Sequence, residues 1–117
     1  MKPFILIVTY RLKENLLTAA EAFLAELAEC GLPEQIRAED GCLSYEYAVP
    51  DPFDGRLLLI ERWENEEKQK AHLARPHMAA LRRIKDAYVA DTAVEALSAI
   101  DSATGSAVDS AIDTAAE

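Results

Sequence analysis

Cysteine is scarce in this chain: Cys30 and Cys42 are the whole supply, too few for a disulfide framework and not in a metal-type spacing. Long apolar runs are missing as well, and none approaches the roughly eighteen residues that a membrane span requires. Met1 to Tyr10 is apolar but meets Arg11 and Lys13 with no small-residue cleavage site, so it reads as a strand and not as a signal peptide. A reducing cytoplasm and no membrane partner are the expectations. Basic residues are outnumbered, 12 against 21 acidic ones, for a net charge of −9. Such a surface cannot neutralise a run of phosphates, which excludes nucleic acid. There is no glycine-rich phosphate loop, no dinucleotide fingerprint and no Gly-x-Ser-x-Gly elbow.

What is present is a core. Half of the 117 residues are apolar, which suits one domain with a buried interior. The composition changes near the end. Residues 99–117 are rich in Ser, Ala and Asp and carry no Lys or Arg, and they supply four of the nine excess negative charges. The expected division is a folded domain over 1–98 and a frayed acidic tail over 99–117.

Within the domain, Phe4 to Leu12 has strand composition. Leu16, Ala20, Phe23, Leu24 and Leu27 then recur at helical spacing, with Asn15 as a cap, Thr18 and Glu21 as a capping box, and an end near Gly31 and Pro33. A further turn over Glu34–Glu39 precedes the Asp40-Gly41 turn. Cys42–Val49 and Arg56–Glu64 form a hairpin across the Pro50–Gly55 turn. Asn65 caps a helix over Glu66–Arg75, whose acidic-to-basic order suits the helix dipole. Pro76 either opens a second helix at its first position or kinks a continuous one. Val89–Leu97 is rich in alanine, yet the order of elements calls for a closing strand there.

The order βαββαβ predicts an α+β, ferredoxin-like fold with an antiparallel four-stranded sheet. The strands carry a second message. Strand one has Phe4, Leu6 and Val8 on one face and Ile5 and Ile7 on the other; strand three opposes Leu57 and Leu59 to Leu58 and Ile60. Two helices cover one face only, so the other needs a second sheet, most simply that of a second copy. A homodimer is the expectation.

Several residues could carry chemistry. Alternation puts Glu61 and Trp63 on one strand face, where the acid serves either as a proton acceptor beside an indole or as a strand-end partner for an arginine across the dimer. His72 sits one position from Leu73, at the border of the helix's buried face, where an imidazole can shuttle protons. His77 is five residues further, off the face of His72. Two histidines with no third ligand nearby make no metal site by spacing. Leu43, Tyr45, Tyr47 and Val49 share one face of strand two, opposite Cys42, Ser44, Glu46 and Ala48; the tyrosines either bind a phenolic ligand or close the dimer seam. Tyr10 ends strand one as a further pocket candidate.

Three stretches carry a family likeness: Ala38-Glu39-Asp40-Gly41-Cys42-Leu43-Ser44-Tyr45, Glu61-Arg62-Trp63-Glu64, and Ala71-His72-Leu73-Ala74-Arg75-Pro76-His77. With the opening strand they resemble the antibiotic biosynthesis monooxygenase family, from about Pro3 to Leu97. The resemblance implies a dimeric α/β barrel with a pocket between sheet and helices in each subunit. It also implies oxidation of quinols or polycyclic phenols by dioxygen with no flavin, haem or metal cofactor. On that reading His72 and Trp63 are the catalytic pair, the first moving a proton and the second walling the pocket. Tyr10, Tyr45, Tyr47, Glu61 and His77 are the substrate contacts. The haem-degrading branch uses an asparagine on its first strand, and Val8-Thr9-Tyr10-Arg11-Leu12 has none. Two alternatives stand beside the oxygenase. One is an isomerase of a phosphorylated sugar, since that branch shares the His-x-x-x-Pro-His run and Arg75, Arg82, Arg83 and Lys85 lie close. The other is a dimer that binds a small ligand without turning it over.

Overall fold

The strand with the densest two-sided apolar pattern lies at the centre of the sheet. The computed structural model describes residues 2–100, so the expected acidic tail lies, from residue 101 on, outside the described residues. Its strands are β1 (Phe4–Leu12), β2 (Cys42–Ala48), β3 (Arg56–Trp63) and β4 (Val89–Ser98). Its helices are α1 (Leu17–Glu29), α2 (Leu32–Arg37), α3 (Glu66–Leu73) and α4 (Met78–Tyr88). The sheet runs β2-β3-β1-β4 with every pair antiparallel. This is the ferredoxin-like arrangement expected, and the alanine-rich closing segment is indeed a strand. Among the described residues no helix is long and apolar enough to cross a membrane.

Alternation sorts the side chains into two layers. Phe4, Leu6, Val8, Tyr10 and Leu12 of β1 are buried, as are Leu57, Leu59 and Trp63 of β3 and Val94 and Ala96 of β4. They meet Ala20, Phe23 and Leu27 of α1 and Met78, Leu81 and Ile84 of α4. On the opposite face Ile5, Ile7, Leu58, Ile60 and Leu97 stay partly exposed in the single chain.

Several local expectations are corrected. Helix α1 starts one residue late for Asn15: its N-cap is Leu16, with no side-chain cap. The amide of Leu16 instead donates to the Glu14 carbonyl at 2.8 Å, a tight turn that puts Asn15 outside the helix, against Gly55. Pro76 neither opens nor kinks a helix. It lies in the turn between α3 and α4, because a residue before proline avoids helical angles and α3 has already ended at Leu73. Arg82 on α4 donates from Nη2 to the Leu73 carbonyl at 3.0 Å and satisfies the end of α3. The Asn65 cap is as expected, with Oδ1 accepting from the Lys68 amide at 2.9 Å.

Strand β2 holds a further surprise. Its register shifts between Cys42, opposite Trp63, and Ser44, opposite Arg62. The extra residue is Leu43, which is thrown out to solvent at 53% exposure. Cys42 therefore joins the helix-side face with Tyr45 and Tyr47, and Leu43 leaves it, the reverse of strict alternation. Just before, Gly41 adopts φ +87°, and a Cβ there would fall 2.5 Å from Lys68 Cγ. Only glycine lets the α2–β2 turn pass this close beneath α3.

Candidate active site

Helix α3 is mostly polar, and the side chains it fully buries are Gln69 and His72. The expectation for this helix is overturned in detail: His72 is turned fully inward, with 1% exposure, while Leu73 is the border residue. Two contacts account for the reversal. The imidazole lies on the Trp63 indole, with ring centroids 4.8 Å apart and planes at 35°. Its Nδ1 reaches the Glu39 carboxylate, at 3.1 Å from Oε1 and 3.0 Å from Oε2.

Glu39 is held in the turn after α2 by its own backbone. Its amide donates to the Ile36 carbonyl at 3.0 Å, and its carbonyl accepts from the Cys42 amide at 3.1 Å. The side chain is 4% exposed. It also receives His77 Nε2 at 2.7 Å, and Arg75 Nε stands 3.9 Å from Oε1. A carboxylate offers only lone pairs, so both imidazoles present N–H to it. In neutral His72 the lone pair then resides on Nε2. The carboxylate thus fixes the tautomer and would stabilise the imidazolium once a proton arrives, the logic of a hydrolase triad without its nucleophile.

On the far side of the indole, Trp63 Nε1 donates to Glu61 Oε1 at 2.9 Å. Glu61 faces the helices and is completely buried. It therefore cannot meet an arginine across a dimer of open sheet faces, which corrects that alternative. Tyr45, opposite Glu61 in the register, sets its ring 6.0 Å from the imidazole in a T-shaped contact, and Tyr47 stands 5.8 Å from Tyr45. The structure thus joins Glu61, Trp63, His72, Glu39 and His77 in one line, with Tyr45 beside it. Tyr10 does not belong. It pairs with Leu57 while Phe4 pairs with Trp63, and six residues of strand separate the two points by about 20 Å. Its ring packs edge-on against Phe23 at 5.9 Å.

Glu39 is the residue that the sequence reading did not single out. Its only signal was membership of the Ala38-to-Tyr45 run, since no spacing rule links residue 39 to residue 72. The local field is nevertheless legible in Cys42. Burial first, then the charges of Glu39 and Glu61, push its thiol up to about 11. At neutral pH it stays protonated and is no nucleophile.

A cleft borders the site on the solvent side, although the His72 side chain itself is 0% exposed. It measures about 270 Å³ and is lined by Glu39, Asp40, Lys68, Ala71, His72 and Arg75. The indole and imidazole touch and leave no gap for a third ring between them. A separate apolar hollow lies between α1, α2 and β2. It has two adjoining parts of about 360 and 250 Å³ that share Leu24 and Tyr47.

The model of one family, described as antibiotic biosynthesis monooxygenase, matches residues 3–84. The Bacillus subtilis protein YjcS, itself uncharacterised, is 35% identical over 46 residues. That stretch is 39% of this chain and 44% of YjcS, so the match spans less than half of that relative. Rv0793 from Mycobacterium tuberculosis superimposes with a TM-score of 0.69 at 27% identity, over 87% of this chain and 99% of its own. A Streptomyces coelicolor monooxygenase from the gene ActVA-Orf6, solved with nanaomycin D, shares the fold at TM-score 0.70 and 21% identity, covering 90% and 94% of the two chains. With the match running from the first strand through Trp63 and His72 into α4, the chain belongs to the antibiotic biosynthesis monooxygenase family.

Proposed function

We propose that this protein oxygenates a quinol or other electron-rich phenol with dioxygen, using no cofactor. One observation carries the reading: the buried His72, its Nδ1 tied to Glu39 and its face on Trp63. His72 Nε2 takes the phenolic proton, and Glu39 stabilises the imidazolium. The resulting phenolate is a good one-electron donor to dioxygen. Coupling of the radical pair gives a ring peroxide, and His72 returns its proton as water leaves. The balance for a hydroquinone is one quinol and one O₂ to one hydroxyquinone and one water. All four electrons come from the substrate, so no external reductant is consumed.

Trp63 walls the substrate ring, and Tyr45 with Tyr47 orients the ring oxygen. The ring enters by parting Trp63 from His72. Helix α3 is the element suited to give way, because it buries Gln69 and His72 and no fully buried apolar side chain. The test is oxygen uptake by the purified, metal-free protein with menadiol, measured above the autoxidation rate. Uptake should rise with protein concentration, and one atom of ¹⁸O from labelled dioxygen should enter the product. Protein-independent uptake, or peroxide with no label in the product, would remove the oxygenase reading. The cleft favours a second reading, since Lys68 and Arg75 stand there beside His72 and suit a phosphorylated ligand. A thermal shift with sugar phosphates but not with quinols would select it.

The enzyme works as a homodimer in this proposal. Ile5, Ile7, Leu58, Ile60 and Leu97 form a partly exposed apolar face of the kind that monomers rarely leave open. Light scattering should give twice the 12.9 kDa of one chain. Ile60→Lys should shift the protein to monomer, because an unpaired ammonium at the centre of the seam opposes association. A wild-type monomer at micromolar concentration would end the dimer proposal.

A further inference from the structure

The spacing of His72 and His77 excluded a metal only for want of a third ligand, and Glu39 supplies one. His72 Nδ1, His77 Nε2 and a Glu39 oxygen lie within 4.8 Å of one another. They come from three places in the chain: α3, the turn before α4, and the turn after α2. Both nitrogens meet the same carboxylate, that of Glu39, whose side chain is 4% exposed. We propose that Glu39, His72 and His77 form a binding site for a divalent transition-metal ion of the zinc class.

The donor chemistry fits. Two imidazoles and one carboxylate are borderline ligands suited to zinc and its neighbours, and not to calcium or magnesium, which take oxygen. The dimensions fit as well. An ion about 2.1 Å from each donor in tetrahedral geometry holds adjacent donors about 3.4 Å apart, so the two contacts to Glu39 need open by only about 0.4–0.7 Å. Glu39 Oε2 already stands 3.0 Å from His72 Nδ1 and 2.7 Å from His77 Nε2. Binding replaces two N–H···O bonds by two metal–nitrogen bonds and one metal–oxygen bond, and each neutral imidazole shifts its one proton to its other ring nitrogen. The side chain of His77 is 20% exposed, and that solvent side leaves room for water as a fourth ligand. Arg75, 3.9 Å from Oε1, opposes the ion, but its side chain is 51% exposed and free to swing into solvent. Asp40 and Lys68 on the same cleft are ion-paired and largely cancel.

Metal on Nδ1 leaves the one proton of His72 on Nε2 and removes the lone pair that the proposed base needs. Zinc should therefore inhibit quinol oxidation. That clause alone rests on the oxygenase reading; the site does not.

The experiment is calorimetric titration of the full, chelator-treated chain with zinc chloride, paired with visible spectra of the cobalt(II) form. One equivalent should bind per chain, and cobalt should show ligand-field bands of a nitrogen-ligated site. His77→Ala and Glu39→Gln should each weaken binding at least about tenfold. His77 is partly exposed, so its variant should keep the fold, as a circular dichroism melt will show. No saturable heat, or cobalt bands like those of the hydrated ion, overturns the proposal. So does affinity unchanged in both variants, which would place the ion elsewhere, for instance at Cys30. If zinc binds as described and turnover is untouched, the site stands and the assignment of His72 as base falls.

Discussion

His72→Phe is expected to lower quinol-dependent oxygen uptake by about 10²–10⁴-fold, the usual worth of a positioned general base. Phenylalanine is the informative replacement because it keeps a flat ring on the Trp63 indole while removing the nitrogen that accepts the proton. Glu39→Gln tests the neighbour separately. Its amide oxygen still accepts the Nδ1–H, so ring orientation survives, but the charge that holds the imidazolium is gone. A hydrogen bond to a charged group is worth about 1.5–3 kcal/mol, so the loss should be one to two powers of ten, in kcat more than in KM. Equal activity in His72→Phe and wild type would sink the mechanism. A fall in KM-linked binding with kcat intact would recast His72 as a wall of a binding site, which is the behaviour of a binder and not of an oxygenase.

Much of this arrangement could be read from the residues in order. Phe4–Leu12 and Arg56–Trp63 could be read as strands apolar on both faces, and the structure sets them as the two inner strands of the sheet. Asn65 announced α3 because its short side chain reaches the third amide beyond it. Glu61 and Trp63 could be placed together by alternation alone. The failures share a physical cause: they depend on pairing across long sequence distance or on a local irregularity. Glu39 meets His72 because Gly41 lets the turn pass under Lys68, and an Asp40–Lys68 ion pair spans the same crossing. Nothing within either segment encodes that meeting. Leu43 defied alternation because one bulged residue inverts the faces on its far side. Tyr10 looked like a pocket residue as long as the register of β1 against β3 was unknown; once Phe4 stands opposite Trp63, Tyr10 must lie at the other end. Chemistry carried by neighbours in sequence was visible, and chemistry assembled by the fold was visible only in part.

The largest stability effect should come from Trp63→Ala, at about 3–5 kcal/mol. The indole is completely buried and touches both halves of the site, so its removal loses the burial of a large ring and leaves a cavity that short, polar α3 cannot collapse to fill. A second cost is specific to this place. Glu61 Oε1 loses the Nε1–H that it accepts at 2.9 Å, and a buried acceptor deprived of its donor costs about 1–3 kcal/mol. Trp63→Phe isolates that term, since the ring volume largely remains. The pair Trp63→Phe with Glu61→Leu should then be less destabilised than the sum of the single changes, because each single change already loses the bond between the two. Urea unfolding at fixed chain concentration measures all four proteins, the concentration being held because dimerisation shifts apparent stability. Against a typical total of about 5–15 kcal/mol, the alanine variant should lose about a fifth of its stability or more and its midpoint should fall accordingly. A loss below about 1 kcal/mol would mean that the indole is not packed between sheet and α3. The imidazole would then have no fixed wall to lean on, and the line from Glu61 to His77 would lose its centre.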